Sequence, residues 1–414
     1  MSLKWFDRYH TTQGLHFQLN PKYYLKEETA VYMTHVMKHL ALSLIAIYIP
    51  MYIFTQTKSY NLFHIDETVN GILWTLSYYA VKSFIALLVV LLLSPLIFSR
   101  INFQRSLLIS SVAQIIEIIL LIKGANNPKI IILASAFSAL EVIFYWIPYH
   151  ILFLKKTIDS TNNFGQKTSL RFFLHRLCAG VSPLIGGIVL SKFGYNTLFI
   201  SALVLIFMSS FPIITMVQEW KHHKHSVKNV MKELCLNKKY ALITTSLCGQ
   251  ALQSLILAVF WPVLLYLVLQ NFVKIGLLKS VSLLATSFAL LIVGKWVDKG
   301  KSQLVHSIGV TLSTLIDMAK VFVIKPLGVY LIDIFDNLNT PMYGLPNMVL
   351  FYEKAKRLGT SDFVIYREIV LHAFIVFSAL IIGALLLTTT NWRLFFSLAA
   401  VGALMAYAID FDKN

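Results

Sequence analysis

Residues 137–156 read FSALEVIFYWIPYHILFLKK, and residues 335–354 read FDNLNTPMYGLPNMVLFYEK. At a single offset of 198 residues, Phe137, Leu140, Tyr145, Pro148, Leu152, Phe153 and Lys156 coincide with Phe335, Leu338, Tyr343, Pro346, Leu350, Phe351 and Lys354. Ile147 and Ile151 fall opposite Leu345 and Val349. Apolar composition alone would align several leucines and phenylalanines. It would not readily align a tyrosine, a proline and a lysine at one spacing. Fixed-period self-similarity marks repeated architecture, and a period of nearly half the chain implies a duplication.

Working outward, 57% of the 414 residues are hydrophobic and only 13% charged, with a mean hydropathy of +0.70. Ordinary soluble domains carry about 25% charge, and a soluble chain this apolar would expose aggregating patches. Lipid must therefore solvate much of the outer surface. Apolar runs long enough to cross a bilayer core of about 30 Å fall near 35–56, 68–98, 105–123, 129–154, 169–191 and 196–217. After a polar break they resume near 241–269, 275–294, 303–325, 327–352, 364–388 and 392–409. The expected fold is all-α: twelve transmembrane helices in two pseudo-symmetric six-helix bundles. The weakest of these runs span 303–352, where Asp317, Lys320, Lys325, Asp333 and Asp336 dilute the apolar pattern.

Loop charge orients the helices. With the N-terminus inside, the inner loops hold Arg100, Arg105, Lys155, Lys156, Lys167, the basic centre of the chain, Lys295, Lys299, Lys301, Lys354, Lys356 and Arg357. The outer loops hold Lys58, Lys123, Lys129, Lys192, Lys274, Lys325 and Arg393; with the cations of both termini counted inside, the division is roughly 23 against 7. Positive loops belong to the cytoplasmic face, so both termini are expected inside, in a plasma or inner membrane. The net charge of +17 is thereby explained without nucleic acid. The organisation expected is a cytoplasmic segment 1–34, a bundle 35–217, a basic linker 218–240 and a bundle 241–414. Residues 1–30 lack a signal peptide's apolar core, so the first span stays as an anchor. The linker string Lys221-His222-His223-Lys224-His225 would suit a metal or an acidic lipid; a solvated inner loop explains it more simply. Cys178, Cys235 and Cys248 have neither disulfide nor zinc spacing.

Between spans two and three of the second half runs Gly294-Lys-Trp-Val-Asp298-Lys299-Gly300-Lys301, opposite Pro95-Leu-Ile-Phe-Ser99-Arg100-Ile-Asn102 in the first. The duplicated halves, the basic central loop and this segment resemble the major facilitator superfamily of secondary transporters. That family carries G-x-x-x-D-[RK]-x-G-[RK] after the second span, with a weaker copy after the eighth. Here the second copy is nearly complete, one residue short before Gly300. The first has Ser99 in place of the acid and Asn102 in place of a glycine. On span five, Cys178-Ala-Gly-Val-Ser182-Pro183-Leu-Ile-Gly186-Gly187 resembles the family's antiporter motif G-x-x-x-G-P-x-x-G-G, with Cys178 and Ser182 replacing glycines. The resemblance implies exchange, with efflux of a solute. Small residues that let membrane helices pack closely explain the same string.

Ionisable groups inside a bilayer are expensive and therefore functional candidates. Glu141 on span four and Asp336, Asn337 and Asn339 on span ten lie at comparable depth and flank the cavity expected from the resemblance. One carboxylate per half suits a proton or cation relay. Lys82, in the middle of span two, would alternatively be the counter-ion of Glu141, making the pair structural. Tyr145 and Tyr343 would line the same pathway. The resemblance brings the starts of spans five and eleven together at a cytoplasmic gate. There Arg171, His175 and Arg176 would meet Arg367, Glu368 and His372, beside Arg100, Asp298 and Lys299; snorkelling to the interface is the simpler reading of these groups. Glu117 and Asp317, on spans three and nine, are expected to pair structurally or face the outer interface.

No Walker loop, H-E-x-x-H or G-x-S-x-G occurs, so neither an ATP-driven pump nor a hydrolase is expected, and no cofactor or metal. The expectation is a secondary transporter of a small-molecule substrate working by alternating access, coupled to protons or another ion, monomeric among membrane lipids. The alternative is a lipid-handling scaffold or an embedded enzyme.

Overall fold

The computed structural model describes residues 27–60, 65–157, 169, 170, 173, 176–215, 227–232 and 237–409. Among them the chain is helical throughout and contains no strand. That is what a bilayer demands of an open chain, because every backbone polar group must be satisfied within its own segment. We label the long helices α1 (Glu27–Ile45), α2 (Tyr48–Thr57), α3 (Glu67–Arg100), α4 (Phe103–Lys123), α5 (Pro128–Thr157) and α6 (Ser182–Ser209). The second half holds α7 (Ala241–Leu269), α8 (Phe272–Trp296), α9 (Ser302–Lys320), α10 (Pro326–Leu358), α11 (Thr360–Leu386) and α12 (Phe395–Met405).

The boundaries have local causes. α1 and α2 are broken at Ala46–Ile47, where Pro50 offers no N–H to the Ala46 carbonyl and crowds it. Asn102 caps α4 by accepting from the Arg105 amide at 2.8 Å, and Asn271 caps α8 by accepting from that of Lys274 at 2.9 Å. Such caps satisfy donors that the helix itself leaves open. α6 turns back on itself at Gly194, whose φ of 80° and ψ of 177° interrupt the helical geometry. The shortened motif copy forms a π-turn, Val297–Lys301, with Gly300 left-handed at φ 74°. Gly300 absorbs the turn between α8 and α9.

Eight described stretches are long and apolar enough to cross a membrane. Two of them, Arg176–Ile214 and Phe272–Lys320, run to 39 and 49 residues. A bilayer core takes about 20 residues per crossing, and the breaks at Gly194 and Gly300 fall within these two. α10 has 33 residues but is too polar to qualify, as Asp333 and Asp336 foreshadowed. Large apolar side chains face outward all along the molecule: Leu92 is 68% and Phe322 75% exposed. The protein is an integral, multi-pass membrane protein.

Contacts between the two halves of the chain follow the repeat. α6 packs on α8, and α3 packs on α11; the 198-residue offset exchanges one pair for the other. At the α6–α8 seam the backbones nearly touch. A Cβ on Gly187 would stand 2.4 Å from the Phe272 carbonyl oxygen, and one on Gly276 2.3 Å from that of Pro183. Gly186 is held equally close to the Leu44 carbonyl of α1, at 2.3 Å. Tyr48 donates to the Pro183 carbonyl at 2.7 Å, and the Leu184 amide donates to Ser280 at 3.0 Å. Ser182, itself buried, opens α6 beside them. The span-five motif is thus a close-packing surface in this fold.

Candidate functional site

Along α5, Glu141 lies thirteen residues from the helix start, about 20 Å at 1.5 Å per residue, well inside the hydrocarbon depth. Its partner is Lys38 of α1, 2.7 Å away, with both side chains buried. Lys38 also donates to Ser110 at 3.2 Å and sits 4.0 Å from the centre of the Tyr145 ring. Tyr145 in turn bonds His35 at 2.6 Å. Lys82, the alternative counter-ion of Glu141, lines the same cavity as Glu141 but makes no salt bridge with it. Its electrostatic partner is Glu117 of α4, which accepts from Tyr78 at 2.6 Å. Glu117 is 6% exposed, so of the two readings of this residue the structure supports pairing within the bundle.

These groups surround a cavity of about 160 Å³ lined by Tyr78, Lys82, Gln114, Glu117, Ser138 and Glu141, with an apolar wall from α1 and α2. Every lining residue belongs to the first half of the chain. The cavity is therefore displaced from the expected position between the halves.

The second half carries a matching concentration of charge. Lys320 at the end of α9 bridges Asp317 and Asp336, each at 2.7 Å, and lies 5.2 Å from the centre of the Trp261 ring. Gln253 of α7 donates to Asp317 at 2.7 Å. Asp333 forms a salt bridge with Lys279 and accepts from Trp261 and Ser282, both at 2.7 Å. Asn337 donates to the Asp333 carbonyl at 2.8 Å, and Asn339 to that of Gly309 at 2.8 Å. The two asparagines singled out by position therefore brace α10, while the charge at this depth is carried by Asp317, Asp333 and Asp336. Tyr343 lies close enough to Asp336 and Arg176 to interact electrostatically with both.

Lys38, Lys279 and Gln253 are site residues that the sequence analysis does not single out. A lone lysine in an apolar run is the signal that finds the first two. Lys279 also falls 197 residues after Lys82, one residue short of the repeat offset.

At the starts of the inner segments, Glu368 pairs with its neighbour Arg367 at 2.6 Å and lies 3.5 Å from His372. Arg367 covers the Phe351 ring at 5.3 Å, and His150 bonds Tyr352 at 2.9 Å, joining α5 to α10. An apolar cluster from both halves, including Val90, Ile147, Phe351 and Tyr366, fills this end. Tyr48, Phe54, Tyr266 and Phe272 pack across the other end. Arg171 and His175 lie outside the described residues, as does the His222–His225 string. Arg100 ends α3; Asp298 and Lys299 lie in the π-turn, with Lys299 exposed.

Comparison with solved structures places this geometry. The human organic anion transporter MFSD10 (TETRAN) superposes with a TM-score of 0.65 at 8% identity, covering 94% of this chain and 99% of its own. The fold is that of MFS-type transporters. The nucleoside transporter NupG matches as well, at a TM-score of 0.63 and 12% identity as a mutant (92% of this chain, 98% of its own) and at 0.60 and 14% in another structure (94% and 98%). No protein-family model and no curated protein matches the sequence. The MFS fold thus extends over nearly the whole chain at identities too low to carry substrate or mechanism.

Proposed function

We propose that the protein is a secondary transporter, with twelve spans in two six-helix bundles and both termini cytoplasmic, that carries a small solute by alternating access. One observation carries the reading: within a transporter fold, Lys82, Glu117 and Glu141 from three helices line a cavity at membrane depth, and Lys38 of a fourth helix pairs with Glu141. Burying four ionisable groups is costly. A purely structural bundle has no need of charge there, whereas a pathway for a polar solute does.

Coupling falls to the second half. Lys279 balances Asp333, but Lys320 alone serves both Asp317 and Asp336. Among these five groups the formal charges leave one negative charge in excess, which a proton or a monovalent cation would neutralise. Asp336 is the exchangeable member, because it is partly open, with a side chain 16% exposed against 0% for Asp317. The duplicated halves offer the mechanics, one half rocking against the other about the α6–α8 and α3–α11 seams. Exchange of solute against proton is the mode suggested by the resemblance of the span-five string to the antiporter motif.

The test is flux in proteoliposomes under an imposed pH gradient. The reading expects solute movement that follows the gradient in the wild type, and Asp336→Asn that still exchanges solute but no longer responds to pH. Wild-type flux indifferent to pH would sink the coupling, and no flux of any small polar solute would sink the transporter.

A further inference from the structure

Most polar groups around the first-half cavity already have partners. Glu141 has Lys38, and Glu117 has the Tyr78 hydroxyl. Two groups remain. Gln114 is 2% exposed, and its Oε1 accepts no hydrogen bond, a state that buried acceptors in native structures rarely keep. Lys82 feels Glu117 electrostatically, yet among the described residues its ammonium has neither a salt bridge nor a hydrogen bond. The cavity thus presents a vacant acceptor and a vacant cationic donor, while Lys38 and Lys82 balance Glu117 and Glu141.

The unmet groups define their ligand. Lys82 asks for an anionic acceptor, and Gln114, with Glu117 beside it in the lining, asks for an N–H donor. The even charge balance favours a ligand of zero net charge over a free anion or cation. Leu42, Ile45 and Ile49 supply an apolar wall for a hydrocarbon portion. At about 10–15 Å³ per water-sized site, 160 Å³ holds roughly eleven to sixteen such sites, which leaves room for a solute of about ten non-hydrogen atoms. We propose that this cavity binds a small zwitterion of the α-amino-acid class, its carboxylate on Lys82 and its ammonium on Gln114 Oε1 and Glu117. This names the solute class for the transport site and rests on the transporter reading above.

The test uses full-length protein in nanodiscs and compares alanine with propionate and ethylamine, and leucine with 4-methylpentanoate and 3-methylbutylamine. At least one amino acid is expected to bind about ten-fold or more tightly than both its acid and its amine, since a site built for a polar group rejects the analogue lacking it. Lys82→Gln and Gln114→Leu should each weaken that binding about ten-fold or more. Lys295→Gln, on an exposed residue at the end of α8, should leave it unchanged. If Lys82→Gln does not fold, Gln114→Leu and the comparison of ligands on the wild type decide. Equal binding of acid and amino acid, no binding of either amino acid, or full affinity in Gln114→Leu overturns the proposal. Amino acid binding without flux in proteoliposomes would defeat the transporter reading and leave the site standing. Flux of another solute, unaltered by Lys82→Gln, would do the reverse.

Discussion

Replacing Glu141 by glutamine leaves the Lys38 ammonium buried without its carboxylate. Lys38 is fully buried, and the pair closes at 2.7 Å, with Ser110 and the Tyr145 ring as its other neighbours. Removing one member of such a pair costs about 3–5 kcal/mol in proteins generally. Inside a bilayer the unfolded chain also finds partners for its polar groups, so the lower end, about 3 kcal/mol, is appropriate here. That corresponds to a roughly hundred-fold loss in the ratio of folded to unfolded protein. The double variant Lys38→Met/Glu141→Leu removes both charges and substitutes packing, a change that is often neutral or stabilising. Unfolding midpoints of the purified protein in detergent, followed by tryptophan emission, should therefore fall for Glu141→Gln and recover in the double variant. A wild-type midpoint for Glu141→Gln, or a double variant no better than the single, would refute the pairing.

Other consequences can be checked the same way. Gly187→Ala should lower the folded yield, because the new Cβ meets backbone 2.4 Å away and overpacking of this kind costs about 1–3 kcal/mol or more; Gly344→Ala, with no atom within 4 Å of the added carbon, should express normally on size-exclusion profiles. Lys320→Met strands Asp317 and Asp336 together and should reduce stability more than Asp336→Asn, which keeps the 2.7 Å Asp317–Lys320 bridge; ranked thermal midpoints decide. Leu73 approaches the position of a Cβ on Gly383 to 3.7 Å across the α3–α11 seam. A Leu73→Cys/Gly383→Cys variant joined by a short bifunctional thiol reagent should lose transport, and undiminished transport in the crosslinked form would count against movement at that seam.

How much of this was legible in the sequence depends on the physical scale of each feature. Helix positions were, because hydrocarbon thickness fixes span length: the run at 241–269 coincides with α7 and that at 105–123 nearly with α4. The helical setting of the two aligned prolines was, because Pro148 and Pro346 both stand inside long helices. Ion pairing was not. Whether Glu141 meets Lys82 or Lys38 is decided by the rotation of each helix about its axis, and a span that is apolar almost all round leaves that rotation undetermined. Lys38 also hid inside a run whose average hydropathy was high. The motif Ser182-Pro183-Leu-Ile-Gly186-Gly187 was legible as close packing, though not the helices it packs against, because small residues reveal a short approach and not the identity of the neighbour.

The central claim is that the buried charges serve solute movement. It is tested most directly by adding amino acids, one at a time, to proteoliposomes that hold a trapped pH dye. The expected result is a solute-dependent change of internal pH in the wild type that is lost in both Lys82→Gln and Asp336→Asn. A wild-type protein that moves neither solute nor protons, or variants that move both unimpaired, would contradict it.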